Sequence, residues 1–486
     1  MLVTLREDRT LSTQVYASLR RAILAGELAA GTRLPSTRTL ARDLAVSRNT
    51  VLLAYDQLLA EGYVEGRPGS GTYVAQALPE APAGAARATA RVQTTPARLS
   101  AYGARAAAIR FASPRGPDRH LPYDFRYGTP KVAEFPHAVW RRLLGRHARG
   151  STVATMAYGP PEGAPVLREA IAAYLRRARA VVCDPAQVLV VNGSQQALDL
   201  TARVLIDAGD TVALEEPNYL GARWAFHAAG ARLVAAPVDA DGLDVTRLGR
   251  ERARARLVYA TPSHQFPTGV VMSLSRRLAL LEWASANRAW VVEDDYDSEY
   301  RYEGRPIEAV QGLDRSGRVI YVGTASKVLF PALRLGYLVV PPSLVEAFTA
   351  AKWVTDRHSA TLEQLVLADF IADGHFERHL RRSRTRNAAR REALLAALHG
   401  ELGDRVDVVG ANAGVHLLAW LRGLSPAAVP ALIEDARGEG VGVYSIAPYY
   451  FRSPPQAGLM LGYAALDERT IREGIRRLAR VYDKHR

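Results

Sequence analysis

The sequence has little cysteine and little lysine. Among its 486 residues Cys183 is the single cysteine and only four residues are lysine, although lysine and arginine together number 63. One cysteine excludes an internal disulfide and predicts a cytosolic protein.

Long apolar runs are also missing. No stretch of about 18 apolar residues occurs, and the first residues lack a signal-peptide pattern, so we expect no membrane association. The hydrophobic fraction of 48% is sufficient for a large core, and the length predicts two or three domains. A net charge of +14 favours a polyanionic partner.

One lysine stands in an unusual setting. Lys327 follows the strand-like run 319–322, in a turn of small hydroxyl residues with apolar neighbours. Burial there would lower its pKa and free the amine to attack an aldehyde. Thr324, Ser326 and Arg334 supply hydroxyl and N–H groups suited to a phosphate. An aldehyde and a phosphate on one small molecule indicate pyridoxal phosphate. A surface lysine after a strand is the alternative.

Residues 1–76 show the signals of three short helices followed by a β-hairpin, which describe a winged helix-turn-helix. Ser36 and Ser47 stand where helix N-caps are expected. A small helical protein–protein module is the alternative. The predicted elements are helices at 11–26, from 36 to about 44 and at 47–62, and strands at 63–65 and 72–74 around the glycine-rich tip 66–71.

The third predicted helix presents polar residues in its first turn. Arg48, Asn49 and Thr50 follow the cap, at the end where such helices contact base edges. Arginine can pair with guanine and asparagine with adenine in the major groove. Operator DNA is therefore the polyanion that this domain is predicted to bind.

Residues 8–75 closely resemble the DNA-binding domain of the GntR family of bacterial regulators. The motifs that carry the resemblance are 34–38, 44–51 and 69–74. Leu52 departs from family members that have a basic residue there, so the base preference does not transfer. The DNA contacts that the resemblance implies are Arg38, Ser47, Arg48, Asn49, Thr50 and Gly69.

Residues 77–120 are rich in alanine, proline and arginine and poor in bulky apolar residues. Such a composition cannot build a core, and its prolines predict a semi-extended linker. The linker either contacts DNA phosphates or serves only as a solvated tether.

From residue 121 to 486, strand and helix patterns alternate, which predicts an α/β domain with a largely parallel sheet. Ligand-binding residues are expected at the carboxyl ends of its strands. The predicted strands are Val188–Val191, Thr211–Leu214, Arg232–Ala235, Leu257–Ala260, Trp290–Val292, Val319–Val322 and Tyr337–Val340.

Three polar clusters follow these strands. Residues 192–196 open a helix and could bind a phosphate, or Ser194 could simply cap that helix. Residues 215–219 end in Tyr219, which could stack on a pyridine ring or pack in the core. The acidic run 293–297 could protonate a pyridine nitrogen, or it could be a solvated turn or a metal site. No histidine lies near that run in sequence, so we predict no metal.

In this order, these features resemble fold-type-I enzymes of the aminotransferase kind. Combined with the winged helix, they resemble the MocR/GabR-type regulators within the GntR family. Further motifs of this resemblance are residues 158–163 and 261–269. It implies a fold-type-I pyridoxal phosphate domain over residues 121–486 and a homodimer.

The resemblance implies roles for individual residues. Lys327 matches the Schiff-base lysine, Asp294 the partner of the pyridine nitrogen, with Asp295 as the neighbouring alternative. Tyr296 matches the phenol facing the ring oxygen and Tyr219 the stacking aromatic. Tyr158 matches a residue that reaches the phosphate of the partner subunit. The implied phosphate ligands are Ser194, Gln195, Thr324, Ser326 and Arg334.

Two departures bear on function. Phe266 replaces the asparagine that aminotransferases place before Pro-Thr-Gly, and residues 458–463 lack the arginine that binds a substrate carboxylate. Efficient transamination is therefore not expected, although a half-reaction could persist. Arg223 and Arg452 remain candidate anchors for an acidic effector.

The sequence thus predicts a transcriptional regulator of vitamin B6 or amino-compound metabolism that senses pyridoxal phosphate itself or an amine. The competing hypothesis is an active aminotransferase with an accessory DNA-binding domain. Production of a ketoacid from amino donors would distinguish them.

Overall fold

The computed structural model describes residues 10–79, 98–109, 121–248, 254–303 and 308–485. The chain divides into two compact units, with the boundary between Arg98 and Leu99.

The first unit is the winged helix that the sequence predicts. Ser36 and Ser47 cap the second and third helices, since their hydroxyls accept hydrogen bonds from the N–H groups of Thr39 and Thr50, both at 3.1 Å. The two strands pair antiparallel, with Val64 opposite Val74. The elements are α1 Leu11–Leu24, α2 Thr37–Asp43, α3 Arg48–Ala60, β1 Val64–Arg67 and β2 Gly71–Val74.

The core of this unit forms where the three helices meet the hairpin. Val15, Val51, Leu58 and Val74 are fully buried. The hydroxyl of Tyr55 donates to the carbonyl of Pro35 at 2.8 Å, which holds α3 against the segment that precedes α2. Because the apolar residues of α3 face this core, the polar residues of its first turn lie at the surface.

The second unit is built on an eight-stranded sheet in the order β4-β11-β10-β9-β8-β5-β6-β7. The pairs from β10 through β6 are parallel, whereas β11 and β7 run antiparallel to their neighbours. All seven predicted strands are present, and the prediction of a largely parallel sheet is confirmed. The strands of this sheet are β4 Val188–Val191, β5 Thr211–Glu216, β6 Arg232–Asp239, β7 Gly242–Leu243, β8 Leu257–Ala260, β9 Trp290–Asp295, β10 Val319–Thr324 and β11 Gly336–Val339.

Most central strands consist of continuous apolar runs, because both faces of the sheet are covered. Every residue of β4, β8 and β10 is buried. The helices of this unit are α4 Ala101–Ala107, α5 His137–Arg149, α6 Val153–Met156, α7 Pro165–Arg179, α8 Ser194–Leu205, α9 Leu220–Ala229, α10 Val245–Leu248, α11 Leu274–Asn287, α12 Val310–Leu313, α13 Val345–Asp356, α14 Thr361–Ala372, α15 His375–Leu402, α16 Val429–Gly438 and α17 Glu468–His485.

The C-terminal part adds a second sheet that the sequence analysis did not identify. Its order is β12-β13-β16-β15, all antiparallel, and it shares an apolar core with α15, α16 and α17. Two short strands, β3 and β14, pair in parallel beside it. These strands are β3 Tyr123–Asp124, β12 Val406–Val409, β13 His416–Leu421, β14 Val441–Gly442, β15 Tyr444–Ser445 and β16 Gly458–Gly462.

The predicted linker is not extended throughout. Residues Ala101–Ala107 form helix α4, capped by Ser100, whose hydroxyl accepts from the N–H of Gly103 at 3.0 Å. Arg105 Nε donates to the carbonyl of Ala228 in α9 at 3.0 Å. Alanine favours helix and the cap fixes its start, which explains why a segment with few bulky apolar residues is ordered here. The rest of the predicted linker lies mainly in 80–97 and 110–120, outside the described residues.

Within the described parts of the chain, no helix combines the length and the apolar character needed to cross a bilayer.

Candidate functional site

Lys327 lies in the loop after β10, as predicted. Its Nζ donates to the carbonyl of Gly128 at 3.0 Å, and a Cβ built on Gly128 would approach that nitrogen to 2.7 Å. Burial lowers the pKa of Lys327, while the negative charges of Asp297 and Asp294 oppose the shift. A neutral amine is the reactive form of a lysine, so this setting suits attack on a carbonyl carbon.

Asp294 lies near the end of β9 and is 4% exposed. Its Oδ2 accepts a hydrogen bond from the hydroxyl of Tyr259 at 2.8 Å, whereas Oδ1 has no hydrogen-bond partner among the described residues. Burial raises the pKa of Asp294 to about 7. An unsatisfied buried carboxyl oxygen is costly, and a protonated ring nitrogen is a group that would satisfy it.

Asp295 is engaged elsewhere. Its Oδ2 accepts from Arg179 Nε at 2.8 Å and from the hydroxyl of Tyr321 at 2.5 Å. Burial acts to raise the pKa of Asp295, but Arg179 and Tyr321 outweigh it and the pKa is lowered. Successive strand residues point to opposite faces of a sheet, so the two neighbouring aspartates serve different surroundings.

The loops that the sequence predicts for a phosphate come together at the start of α8. Arg334 Nη2 donates to the carbonyl of Asn192 at 2.7 Å. Gly193 has a φ of 83°, and a Cβ there would lie 2.8 Å from the same guanidinium nitrogen. Glycine is therefore required where the guanidinium crosses the helix start.

The first-turn N–H groups of Ser194 and Gln195 have no intrahelical acceptor, which leaves them available to an anion. The hydroxyl of Thr324 accepts from the N–H of Ser326 at 3.2 Å. The hydroxyl of Ser326 is buried without a hydrogen-bond partner among the described residues. This unpaired hydroxyl and these free N–H groups fit a phosphate.

A cavity of about 1050 Å³ adjoins these loops. Gln195, Tyr219 and Arg334 line it, whereas the partly buried Lys327 and the buried Asp294 are not among the lining residues. Among the described lining residues Arg334 is the only cation and Asp199 the only carboxylate. Helix α4 and helix α9 form one side, and the remaining lining includes Tyr102, Ala106, Ile109, Tyr127, Trp224, Phe266 and Tyr449.

Phe266 occupies the place where an asparagine was expected in an aminotransferase. It is buried, and its ring lies 5.6 Å from that of Tyr219, 5.2 Å from Tyr449 and 5.7 Å from His416, centroid to centroid. Burial raises the pKa of Tyr219 to about 12, which keeps its phenol neutral. The ring of Phe266 thus packs among aromatic rings.

Tyr158 does not line the cavity of its own chain. Its side chain is 77% exposed, and the guanidinium of Arg357 lies 4.5 Å from the centre of its ring. Tyr296, in contrast, is partly buried, and its hydroxyl lies 3.0 Å from Nδ1 of His264.

Arg223 is not a free anchor for an acidic ligand. Its guanidinium donates to Asn218 Oδ1 at 3.0 Å and to the carbonyls of Pro448 and Tyr449, and it lies 4.3 Å from the centre of the Phe451 ring. These contacts fasten α9 to the segment after β15. Neither Arg223 nor Arg452 lines the cavity.

The histidine that was missing from the sequence around the acidic run is supplied by the fold. His264, Asp297 and His416 place one ligand-type atom each within 4.8 Å of one another. Nδ1 of His264 is already hydrogen-bonded to Asp297 Oδ2 at 3.0 Å. Asp297 Oδ1 is buried without a hydrogen-bond partner among the described residues, and His416 Nε2 lies 3.3 Å from the carbonyl oxygen of Pro267.

In the winged helix, the predicted DNA contacts come from α2, from the start of α3 and from the hairpin tip. Arg38, Arg48 and Asn49 are exposed, and Arg48 Nε lies 3.4 Å from the hydroxyl of Thr37. Ser47 and Thr50 are joined by their capping bond. Gly69 is exposed at the tip of the β1–β2 hairpin.

Sequence reasoning missed Tyr259, Arg179 and Gly128, the partners of the two aspartates and the lysine. Tyr259 did leave a signal, since it is the one polar side chain within the apolar strand β8. Gly128 left none, because it lies 199 residues from Lys327.

The two units correspond to two known families. Residues 11–74 match the gntR family of bacterial regulatory proteins, and residues 124–478 match the aminotransferase class I and II family. The chain is 46% identical over 489 residues to the probable rhizopine catabolism regulatory protein MocR of Rhizobium meliloti. That alignment covers 99% of this chain and 96% of its relative.

Solved structures resemble the larger unit. A kynurenine aminotransferase of Pyrococcus horikoshii, in complex with PMP, is 30% identical with a TM-score of 0.72, covering 78% of this chain and 96% of that one. The α-aminoadipate aminotransferase LysN of Thermus thermophilus, complexed with N-(5'-phosphopyridoxyl)-L-leucine, is 32% identical with a TM-score of 0.72, covering 79% and 99%.

Proposed function

Because this chain belongs to the GntR family and carries a class I and II aminotransferase domain, it is a helix-turn-helix transcriptional regulator of the MocR type, and we propose that pyridoxal phosphate bound in the larger unit controls its binding to DNA. The observation that carries the proposal is the set of unsatisfied polar groups around Lys327, in the same chain as a winged helix. When bound, pyridoxal phosphate supplies an electrophilic carbon and an electron-accepting ring.

Each of these residues contacts a different part of the cofactor in this proposal. Lys327 holds it covalently, and Asp294 pairs with the ring nitrogen through the oxygen that is otherwise unpaired. The start of α8, together with Ser326 and Arg334, receives the phosphate. Tyr219 covers a ring face and Tyr296 meets the ring oxygen. The remaining phosphate contacts are Ser194, Gln195 and Thr324.

Amino transfer is not the function that this cavity favours. An amino-acid carboxylate needs a cationic partner, and loss of a bidentate arginine removes a strong charge-assisted pair. Arg334 is the only cation among the described lining residues, and its place beside Asn192 commits it to the phosphate. A half-reaction with an amine remains compatible with Lys327.

The cavity suits an amine better than an acid as effector. Six aromatic residues line its walls, and Asp199 adds a carboxylate, which is paired with Arg203 at 2.9 Å. Aromatic faces and carboxylates both attract cations. Since an amine can also react at the cofactor, we propose an amine with an apolar or aromatic body, with pyridoxal phosphate itself as the alternative signal.

The linker couples ligand binding in the cavity to DNA binding by the winged helix in this proposal. Helix α4 contributes Tyr102 and Ala106 to the cavity wall, Ile109 follows the helix in that wall, and Arg105 fastens α4 to α9. A ligand that fills the cavity contacts α4 directly. Its affinity therefore differs between a state in which α4 lies against α9 and a state in which α4 has left it. Such differential affinity is what a ligand needs to shift a conformational equilibrium.

An exposed apolar surface supports a homodimer. Val153 is 88% exposed and Met156 78%, and they precede the exposed Tyr158. Trp353 and Val354 are exposed as well, and Arg357 contacts the rings of both Tyr158 and Trp353. Exposed apolar patches mark interaction sites. A second copy of the chain on this patch would bring Tyr158 to the partner's phosphate, as the family resemblance implies.

The test is to measure affinity for operator DNA without cofactor, with pyridoxal phosphate, and with pyridoxal phosphate plus a panel of amines. We expect cofactor or amine to change operator affinity at least severalfold in wild type and not in K327A. The variant Y102A should keep cofactor but respond less to the amine. Equal affinity under all conditions would contradict the proposal. Sustained ketoacid production would favour the enzyme instead.

A further inference from the structure

Three side chains form a hydrogen-bonded group around the position of Phe266. Nδ1 of His264 lies 3.0 Å from Asp297 Oδ2 and 3.0 Å from the hydroxyl oxygen of Tyr296. His264 and Asp297 are each 1% exposed. His264 comes from the loop after β8, whereas Tyr296 and Asp297 directly follow β9.

When Asp297 is ionised, the chemistry of the three groups sets the direction of the two hydrogen bonds. An ionised carboxylate can only accept, so Nδ1 of His264 carries the hydrogen in its bond to Asp297. The oxygen of Tyr296 faces that same N–H and must accept from it as well. Both the neutral Nδ1–H tautomer and the doubly protonated imidazole give this result. The hydrogen of the Tyr296 hydroxyl is therefore directed away from His264.

Without Asp297 the direction of the hydrogen bond between His264 and Tyr296 would not be fixed. A neutral histidine whose Nδ1 lacks a hydrogen would accept from Tyr296 and withdraw its hydroxyl from other acceptors. His264 Nε2 has a weaker second acceptor, the carbonyl of Gly410 at 3.5 Å, which does not select the tautomer strongly. Asp297 is thus the group that sets the tautomer.

Other charges surround the group. Burial and the neighbouring His264 lower the pKa of His416 well below its usual value, so His416 is neutral and adds no cation. Its ring lies 5.0 Å from that of His264. The further titratable groups whose charges act on these side chains are Glu215, Asp294, Asp295 and Lys327.

Phe266 stands where an aminotransferase has an asparagine that donates a hydrogen bond to the cofactor. Its ring lies 5.9 Å from that of Tyr296 and contributes no hydrogen-bond donor. The asparagine expected at this place in an aminotransferase would donate to the ring oxygen of the cofactor. We propose that His264, oriented by Asp297, is a positioning residue that compensates for the missing amide by keeping the Tyr296 hydroxyl directed at that ring oxygen.

This proposal rests on the proposed function, because it concerns the bound cofactor. A donor at the ring oxygen stabilises its deprotonated form. Removing the orientation of that donor should raise the pH midpoint at which the visible absorption of the bound cofactor changes. A rise of one unit is a tenfold change in proton affinity, or about 1.4 kcal/mol.

The experiment is a pH titration of the cofactor absorption in full-length holoprotein, for wild type, H264F, Y296F and the double variant. We expect H264F to raise the midpoint by about one unit while cofactor stays bound. Because His264 acts through Tyr296, H264F should cause no further rise in the Y296F background. The control H147F removes another histidine–aspartate pair, His147 with Asp369 at 2.9 Å, and should leave the midpoint unchanged.

Two further variants keep the test decisive if H264F does not fold. H264Q retains an N–H donor and should restore most of the wild-type midpoint. D297N can donate to Nδ1 and reverse the tautomer, so it should raise the midpoint. An unchanged midpoint in H264F or D297N, or additive shifts in the double variant, would overturn the role of His264. A wild-type protein without visible absorption would instead contradict cofactor binding itself.

Discussion

Arg179 donates to Asp295 at 2.8 Å, and both side chains are buried. The guanidinium also donates to the hydroxyl of Ser263 at 2.6 Å. Among the described residues Oδ1 has no hydrogen-bond partner in either aspartate, but Arg179 balances the charge of Asp295, which leaves Asp294 as the carboxylate available to a ring nitrogen. The two aspartates should therefore respond differently to the same substitution.

D294N should weaken cofactor retention and alter the visible spectrum with little loss of fold stability, since an amide cannot form the charge-assisted pair with a protonated ring. D295N should instead lower the free energy of unfolding by about 3 kcal/mol, because it leaves Arg179 as an uncompensated buried charge. Cofactor titration and urea unfolding of both variants measure this. Cofactor loss confined to D295N would place the nitrogen partner one residue later.

K327A should abolish the visible absorption of the purified protein, because the covalent attachment of the cofactor requires the Lys327 amine. The matched control is K484A, which removes an exposed lysine in α17. It should retain the absorption of wild type. The measurement is the absorbance spectrum after addition of pyridoxal phosphate and gel filtration. An unchanged band in K327A would exclude this lysine.

The stability of the cofactor-free protein should fall as pH rises from about 4 to about 7. Burial raises the pKa of Asp294, Glu215 and Glu299 to about 7, so the folded state holds protons that the unfolded state has released. Each such group lowers the free energy of unfolding by about 1.4 kcal/mol per pH unit in that window and by nothing further above it.

D294N removes one of the three groups, so its stability should depend less steeply on pH. Urea unfolding of cofactor-free wild type and D294N at pH 5, 6 and 7 compares the slopes. Equal slopes in the two proteins would show that Asp294 does not take up a proton in the folded state.

R48A should weaken operator binding and relax the preference at one base pair. Arg48 is exposed in the first turn of α3, and an arginine that reads guanine contributes about 1–3 kcal/mol of discrimination. Binding is measured on operator and scrambled duplexes at two salt concentrations. A contact to phosphate alone would weaken both duplexes equally and reduce the salt dependence by about one counterion. Operator affinity equal to wild type would exclude Arg48 as a reader.

The sequence by itself determined the elements of the winged unit, seven strands of the large sheet and the types of site residue, but neither the second sheet nor helix α4. Caps and apolar spacing placed the helices of the winged unit, and the buried runs placed all seven predicted strands of the large sheet. These signals are local, because caps and side-chain periodicity act within a few residues. The rule that ligands bind beyond the carboxyl ends of parallel strands then directed attention to Lys327 and to Asp294.

Only the tertiary structure decided which groups meet. Asp294 and Asp295 look equivalent in sequence, but adjacent strand residues face opposite sides, and the packing of Tyr259 and Arg179 distinguishes them. His264 reaches Asp297, and α4 reaches the cavity, through contacts between distant segments. Strand order and loop packing set these contacts, and no local pattern in the chain encodes them.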